Sequence, residues 1–451
     1  MLLQIVTIAR NTFIESIRQP IFFVLVLVCG VLQLFNTWST GFAMGYTDSA
    51  EVSGDNKLLF DVGLATVFVC GTLLAAFIAT AVVSREIENK TVLTVVSKPV
   101  GRPAVIFGKY FGVAAAMLVA IVPMLVFLLM GIRHGVMSNA SDDLDGPVIL
   151  FTFLALFLAL GIGAWCNFFY GWYFSQTAML VLMPGAVVAY VMVLLLSKKW
   201  GWQAPTIDLK PQIMFACYAL TLALLVLTAV ATAVSTRLGQ VMTIVVCAGV
   251  FVFGLLANHL VGRHVFSNER VGVILTATPN DPTRPGWAQP GDGYTVTLQT
   301  PPSKPIRPGD TFYYSASPNG FPMAVASAPP FKGDPSRDTD LLGTSAAPAI
   351  VVVSSEGKTL HIRRAGSDAL SYDRPPQVND YVFLSPTHVN AAALGVWAVV
   401  PNLQYFWMVD AVSQNQPIPP RHLALLTAYA LGQIATFLCL GVILFQKRDV
   451  G

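Results

Sequence analysis

Charge is what this 451-residue sequence has least of. Asp, Glu, Lys and Arg together make up 11%, against about a quarter in soluble domains. Apolar residues reach 55% and the mean hydropathy is +0.64. So few charges cannot solvate that much apolar surface, which excludes a soluble globular chain and a disordered one. The net charge of +3 leaves no polyanion footprint, so no nucleic-acid partner is expected. Cysteine is equally sparse. All six (Cys29, Cys70, Cys166, Cys217, Cys247, Cys439) fall in or beside apolar runs, with no CxxC pair. That spacing excludes a disulfide framework and a zinc site.

Chemistry-bearing motifs are missing too. There is no HExxH and no GxSxG. The segment Gly101–Tyr110, GRPAVIFGKY, has Pro103 where a phosphate loop needs glycine and Tyr110 where it needs Ser or Thr. No catalytic residue, cofactor or metal is therefore expected. The strongest enzyme-like feature is Asp143-Leu144-Asp145. Lipid-linked glycosyltransferases use such acidic pairs to hold a metal and a sugar phosphate, whereas a solvated loop is the commoner meaning, because loop acids cost little.

What is present is long apolar runs. A helix needs roughly 20 apolar residues to cross a bilayer, and eight stretches qualify: 21–35, 62–83, 110–132, 148–165, 178–196, 213–234, 241–260 and 423–445. The first is short and extends toward Trp38. The fourth and fifth flank an uncharged aromatic turn at 167–176. No span has an acid or base near its centre, so an ion-coupled carrier, which must bind its coupling charge inside the membrane, is excluded. Pro184 and Gln433 are the notable interruptions. Pro184 should bend its helix, and Gln433 should bond a neighbour. If the chain moves a solute uphill, the energy comes from another source.

Orientation follows the excess of Lys and Arg on the cytoplasmic side. With the N-terminus inside, the inner segments hold ten basic residues and the short outer loops five, alongside eight acids. Both termini are then cytoplasmic. The opening residues do not read as a signal peptide, since Arg10 is the first basic residue and no cleavage pattern follows. Instead Leu2, Ile5, Val6, Ala9, Phe13 and Ile17 recur at helical spacing opposite Gln4, Thr7, Asn11, Glu15 and Arg18. This predicts a helix lying in the membrane interface ahead of Pro20; the alternative is a cap packed on other protein.

Residues 263–400 differ in kind. They hold 17 of the 29 prolines and balanced charge, 11 basic and 11 acidic. Short β-type runs at 271–276, 294–299, 311–314, 350–353, 359–362 and 381–384 are separated by turn residues. The segment 279–308 reads as an extended connection, and 318–348 as partly without fixed structure. The expected fold is thus an all-α polytopic membrane protein of about eight transmembrane helices with an inserted extracytoplasmic β-rich domain. Its parts would be 1–262, the insert 263–400, and 401–451 with a re-entrant segment and the last span.

The inner loop after the second span carries the most information. It reads Ser84-Arg85-Glu86-Ile87-Glu88-Asn89-Lys90-Thr91, then an apolar run, then Ser97-Lys98-Pro99-Val100-Gly101-Arg102-Pro103 and Gly108-Lys109-Tyr110. This resembles the cytoplasmic loop of ABC-2 type transporter permeases, with Asn89-Lys90 where a Gly usually precedes the Thr. The opening Ile8-Ala9-Arg10-Asn11-Thr12-Phe13, followed by Ile17-Arg18, resembles that family's interfacial elbow helix. Phe445-Gln446-Lys447-Arg448-Asp449 is similar to its usual exit, and Pro401-Asn402-Leu403-Gln404-Tyr405-Phe406 to its outer re-entrant segment. Eight spans rather than the usual six, and the β-rich insert, are departures.

The resemblance implies a permease subunit, not itself an enzyme, in the bacterial inner membrane. It would pair with a second permease, as homodimer or heterodimer, and with a separate ABC ATPase subunit. The ATPase-coupling loop would comprise Arg85, Glu86, Glu88, Lys90, Thr91, Lys98 and Arg102. The elbow residues Arg10, Phe13, Glu15 and Arg18 would flank it. Independently of the family, a short mixed-charge helix beside an apolar run suits docking into a groove on a soluble partner; the alternative is a solvated loop that only sets topology. The competing functional classes are a membrane glycosyltransferase and a membrane scaffold displaying an envelope-binding domain.

Overall fold

The computed structural model describes residues 2–39, 54–84, 101–136, 144–284, 286–320, 328, 331–342, 348–368, 370, 374–413 and 418–446. Two compact units emerge, residues 1–255 with 401–451, and residues 256–400.

The first unit is helical. An opening helix, Leu2–Arg18, precedes the spans. Across the described residues eight helices are long and apolar enough to cross a membrane: Pro20–Thr37, Lys57–Ser84, Arg102–His134, Gly146–Tyr170, Phe174–Leu195, Pro211–Ser235, Gln240–Val265 and Pro420–Gln446, here spans 1 to 8. The first extends past Phe35 toward Trp38 as expected, and the polar Gln33 and Asn36 within it are bonded inside the bundle. Their amide nitrogens donate to Gly63 O (2.8 Å) and Leu59 O (2.9 Å) of span 2. Spans 4 and 5 are separated by three residues only, Gly171–Tyr173, with Gly171 at φ 67° ending span 4 in a left-handed cap. The wider aromatic turn expected at 167–176 is thus mostly helix. Pro123 and Pro184 both lie inside helices that continue past them. Gln433 is buried and bonds Tyr429 one turn earlier in its own helix.

Spans 2 and 6 are 72% buried and span 3 is 61%, whereas spans 4 and 7 are 22%. The former three make the centre, and the latter two face outward. Small residues permit the contact: Ala216, Ala219, Ala223 and Ala229 of span 6 are all buried. Thr228 and Thr232 return their hydroxyls to carbonyls one turn back at 2.7 and 2.8 Å. Lipid tails are as apolar as leucine, so close van der Waals contact between small residues holds such helices together. After span 7, residues 401–412 return to this core. Leu403, Phe406, Met408, Val409 and Val412 are buried, and the Asn402 side chain accepts from Gln404 N to start a 3₁₀ turn.

The second unit is β-rich. Strands β2 (Gly272–Pro279), β3 (Gly293–Leu298), β4 (Tyr313–Ser315), β5 (Ala349–Glu356), β6 (Thr359–Ala365) and β7 (Tyr381–Phe383) lie where alternation placed them. The missed pair β1 (Phe266–Ser267) and β8 (His388–Val389) forms a separate two-stranded ladder. The main sheet runs β4-β7-β2-β3-β6-β5 and is antiparallel throughout. It curls until its ends meet. Phe312 N donates to Ile350 O (2.8 Å), Val352 N to Asp310 O (2.9 Å) and Gly309 N to Val352 O (2.8 Å). Closure removes exposed strand edges.

Val296, Leu298, Phe312, Tyr314, Leu360 and Ile362 fill the interior. Buried Arg364 donates to the carbonyls of Trp287 and Asp368, and Trp287 Nε1 donates to Tyr314 Oη at 2.7 Å. Burial pushes the Tyr314 phenol well above its usual range. The run 279–308 contains β3 and is therefore more than a connection. A helical turn, Asp338–Leu341, forms in the part expected to lack fixed structure, while 321–327, 329–330 and 343–347 are outside the described residues.

Candidate coupling face

Span 3 begins at Arg102, and its first turns gather the cytoplasm-assigned ends of three helices. Gly108 and Gly112 are four residues apart, hence on one face. The opening helix lies against that face. A Cβ at Gly108 would sit 2.7 Å from Ile8 Cβ and 3.1 Å from Ile5 O. One at Gly112 would sit 2.5 Å from Ala9 O and 2.6 Å from Thr12 Cβ. Only glycine allows the two backbones this close.

Lys109, between those glycines, is 5% exposed and donates from Nζ to Val82 O (2.7 Å) in the last turn of span 2. A cation at a helix C-terminus offsets the carbonyl end of the dipole. The Gly-Lys-Tyr sequence is thus a fastening: one residue seats the opening helix, the next ties span 2, and Tyr110 Oη reaches Leu225 O of span 6 at 3.4 Å.

The opening helix keeps both characters that its pattern allowed. Thr12, Ser16 and Ile17 are buried, while Leu2, Leu3 and Val6 are 79%, 84% and 64% exposed. Its inner stripe is partly polar and closes on Phe13 and Ile17, while the large apolar side chains of its first two turns, Leu2, Leu3 and Val6, face out as in an interfacial helix. Arg10 and Glu15 are exposed and Phe13 packs against the core. Arg18 bonds Gln176 Oε1 from Nε at 2.9 Å and lies 4.6 Å over the Tyr173 ring. Ser175 Oγ donates to Ile17 O and Gln19 O at 3.1 and 2.9 Å. The turn between spans 4 and 5 therefore anchors the end of the helix. Nothing in the linear pattern of Ser175 or Gln176 indicated this role.

Arg102, expected in the coupling loop, donates from Nη1 to Gln446 O at 2.7 Å, and Arg237 Nε donates to Leu444 O at 2.8 Å. Two arginines thus cap the end of span 8. The other expected coupling residues, Arg85, Glu86, Glu88, Lys90, Thr91 and Lys98, lie outside the described residues. Their segment leaves the end of span 2 and re-enters at span 3, two ends joined by the Lys109 bond.

At the opposite end of the bundle Asp145 is fully buried rather than solvated. It pairs with Arg133 Nη1, and its Oδ1 accepts from Val148 N (3.3 Å) to cap span 4. Arg133 also contacts Asp208 (2.8 Å) and Leu196 O (3.0 Å). Asp145 is therefore committed to joining spans 3 and 4, and its partner Arg133 extends the tie to the loop after span 5. Asp142 and Asp143 are outside the described residues, and no cluster of three His, Cys, Asp or Glu occurs among the described ones.

Comparison with known proteins gives one finding. Residues 6–166 match the family described as ABC-2 family transporter protein, a stretch running from the opening helix through span 4. No curated protein and no solved structure matches the chain. The matched stretch contains the close-packed glycines, the Lys109 tie and the whole loop between spans 2 and 3, and over it this multi-pass membrane chain is similar to the ABC-2 transporter family.

Proposed function

We propose that the chain is the membrane subunit of an ABC-2 type transporter that exports its substrate with ATP hydrolysed on a separate ABC ATPase subunit. Two permease chains, alike or different, would complete the pore. The segment 85–102 receives the ATPase, with the opening helix as its flank, on the cytoplasmic side of a bacterial inner membrane. The β-rich unit then lies outside.

The observation that carries this reading is the fastening around Lys109. A docked partner pushing on 85–101 would act on two helix ends already joined at 2.7 Å, with the opening helix wedged against the same turns. Rigid helices transmit such a displacement as a tilt rather than absorbing it locally. The mixed charge of Arg85, Glu86, Glu88 and Lys90 gives the partner a polar handle.

The test is purification of the tagged chain in mild detergent with assay of bound ATPase activity. An ATPase should co-purify and be shed by Glu86→Arg/Glu88→Arg. Recovery of the chain alone, without ATP hydrolysis in several detergents, would sink the proposal.

A further inference from the structure

A short helix, Ala391–Val399, carries no polar side-chain group except the indole N–H of Trp397, and none of its nine residues is buried. It follows β8 and runs back beside the last turns of span 7, which belong to the same β-rich unit. Its start is fixed by Asn390, whose N–H donates to Val265 O at 2.9 Å and whose side chain caps the first turn. Two turns on, Trp397 Nε1 donates to Asn258 Oδ1 at 3.3 Å. A Cβ at Gly262 would sit 3.2 Å from the same Nε1, and the Trp397 ring meets Phe266 edge-on at 6.4 Å. The helix is thus tied near both ends to residues 258–266.

We infer that this helix binds lipid, immersed at the headgroup–hydrocarbon boundary of the leaflet at the Val265 end of span 7. Three features single out this occupant. First, the helix adjoins a membrane span. Leu256 and Leu260 on the adjoining turns are 45% and 39% exposed, and Leu394, Val396 and Val399 add 38%, 55% and 54% exposed side chains to that apolar surface. Second, its open side is too wide for a protein groove. Ala393 and Trp397, one turn apart, are half-buried and the other seven residues are exposed, an arc of about 200° at about 100° per residue. A helix docked in a groove offers a stripe nearer 100°, whereas one that is apolar almost all round belongs in a core or a membrane. Third, length sets the depth. Nine residues reach about 14 Å, less than half of the roughly 30 Å hydrocarbon core, so the helix cannot span. Span 7, with 26 residues, reaches about 39 Å and outruns that core, so its final turns and the helix beside them lie at the boundary. An indole is favoured at this depth, and exposed Arg263 and His264 suit lipid phosphates. The inference holds for either orientation of the chain and is independent of the ATPase reading.

The full chain would be reconstituted in phosphatidylcholine vesicles with a trace of phosphatidylcholine bearing a diazirine on one acyl chain. After illumination, adducts are mapped by peptide mass spectrometry. Val252 and Phe253, 51% and 62% exposed, report the lipid-facing span, and Leu275 and Val378, 48% and 58% exposed, report apolar residues elsewhere in the β-rich unit. Leu394, Val396 and Val399 should be labelled within about threefold of the first pair and about tenfold above the second, as immersion in the acyl region requires. Val396→Cys should react about tenfold more slowly than Val378→Cys with a membrane-impermeant maleimide, because reagent and reactive thiolate both stay in water. Both positions are exposed and tolerate cysteine. Labelling of 394–399 no higher than that of Leu275 and Val378, or equal maleimide rates, overturns the assignment. A disulfide dimer through Val396→Cys that the unaltered chain does not form also overturns it, since the occupant would then be a second copy.

Discussion

Replacing Gly112 by alanine tests whether the opening helix is seated as described. In an exposed helix interior Gly→Ala gains up to about 1 kcal/mol, because glycine is the poorer helix former. At Gly112 the added methyl would come within 2.5 Å of Ala9 O, a backbone atom that moves only with its helix. Overpacking of this kind costs about 1–3 kcal/mol, so the expected sign is reversed. Gly161 and Gly432 serve as controls, since a Cβ there meets nothing within 4 Å. At about 2–4 °C per kcal/mol for a body of this size, Gly112→Ala should lower the apparent melting temperature in detergent by roughly 2–12 °C. Gly161→Ala and Gly432→Ala should leave it unchanged or raise it. Gly108→Ala should fall between, because its nearest atom is the Ile8 side chain at 2.7 Å. Light-scattering or dye-based melts suffice. If Gly112→Ala matches the controls, the close seating of the opening helix is wrong.

Other expectations follow from the same structure. Asp145→Ala leaves Arg133 without one buried partner and should destabilise by about 3–5 kcal/mol, seen as a large drop in melting temperature. Any transport activity per folded molecule should persist, and selective loss of activity with normal stability would point to an enzymatic role. Arg102→Ala with Arg237→Ala removes both caps from span 8 and should cost about 0.3–1 kcal/mol each, read as faster hydrogen exchange confined to residues near 440–446. Asp281 and Asp334 are held below the usual carboxylate range, first by the Thr283 and Ser336 hydroxyls and then by their backbone N–H groups. A depressed carboxyl contributes stability above its unfolded pKa, near 3.9, that is lost as pH falls through the folded value. Carboxyl ¹³C titration should therefore place both midpoints lower than free aspartate, and Thr283→Val should move that of Asp281 upward.

Hydropathy alone made the membrane unit legible, because the bilayer fixes span length and each span was a run of apolar residues. The strands were legible for a similar local reason, the alternation visible in Tyr294–Leu298 and Thr359–Ile362. Contacts between distant parts were not. Closure of the sheet depends on residues 309–312 meeting 350–352, about forty residues away, and no short-range pattern encodes it. Gly108 and Gly112 advertise a close approach, but only the structure shows that the opening helix makes it. Asp145 reads as a loop acid until Arg133, at the end of the preceding span, is seen to reach it. Gln33 and Asn36 look like a fading span until their carbonyl partners on span 2 are known. Arg102 counts as a loop cation in one dimension and as a helix cap in three.

The central claim is that the segment between spans 2 and 3 receives an ATPase. The most direct measurement is photocrosslinking in intact membranes from p-benzoylphenylalanine placed at Glu88, with Gln203 at the opposite end of the bundle as control. The account predicts capture of a nucleotide-binding chain from position 88 and none from position 203. Equal capture from both positions, or none from 86, 88 and 98 in turn, would contradict it.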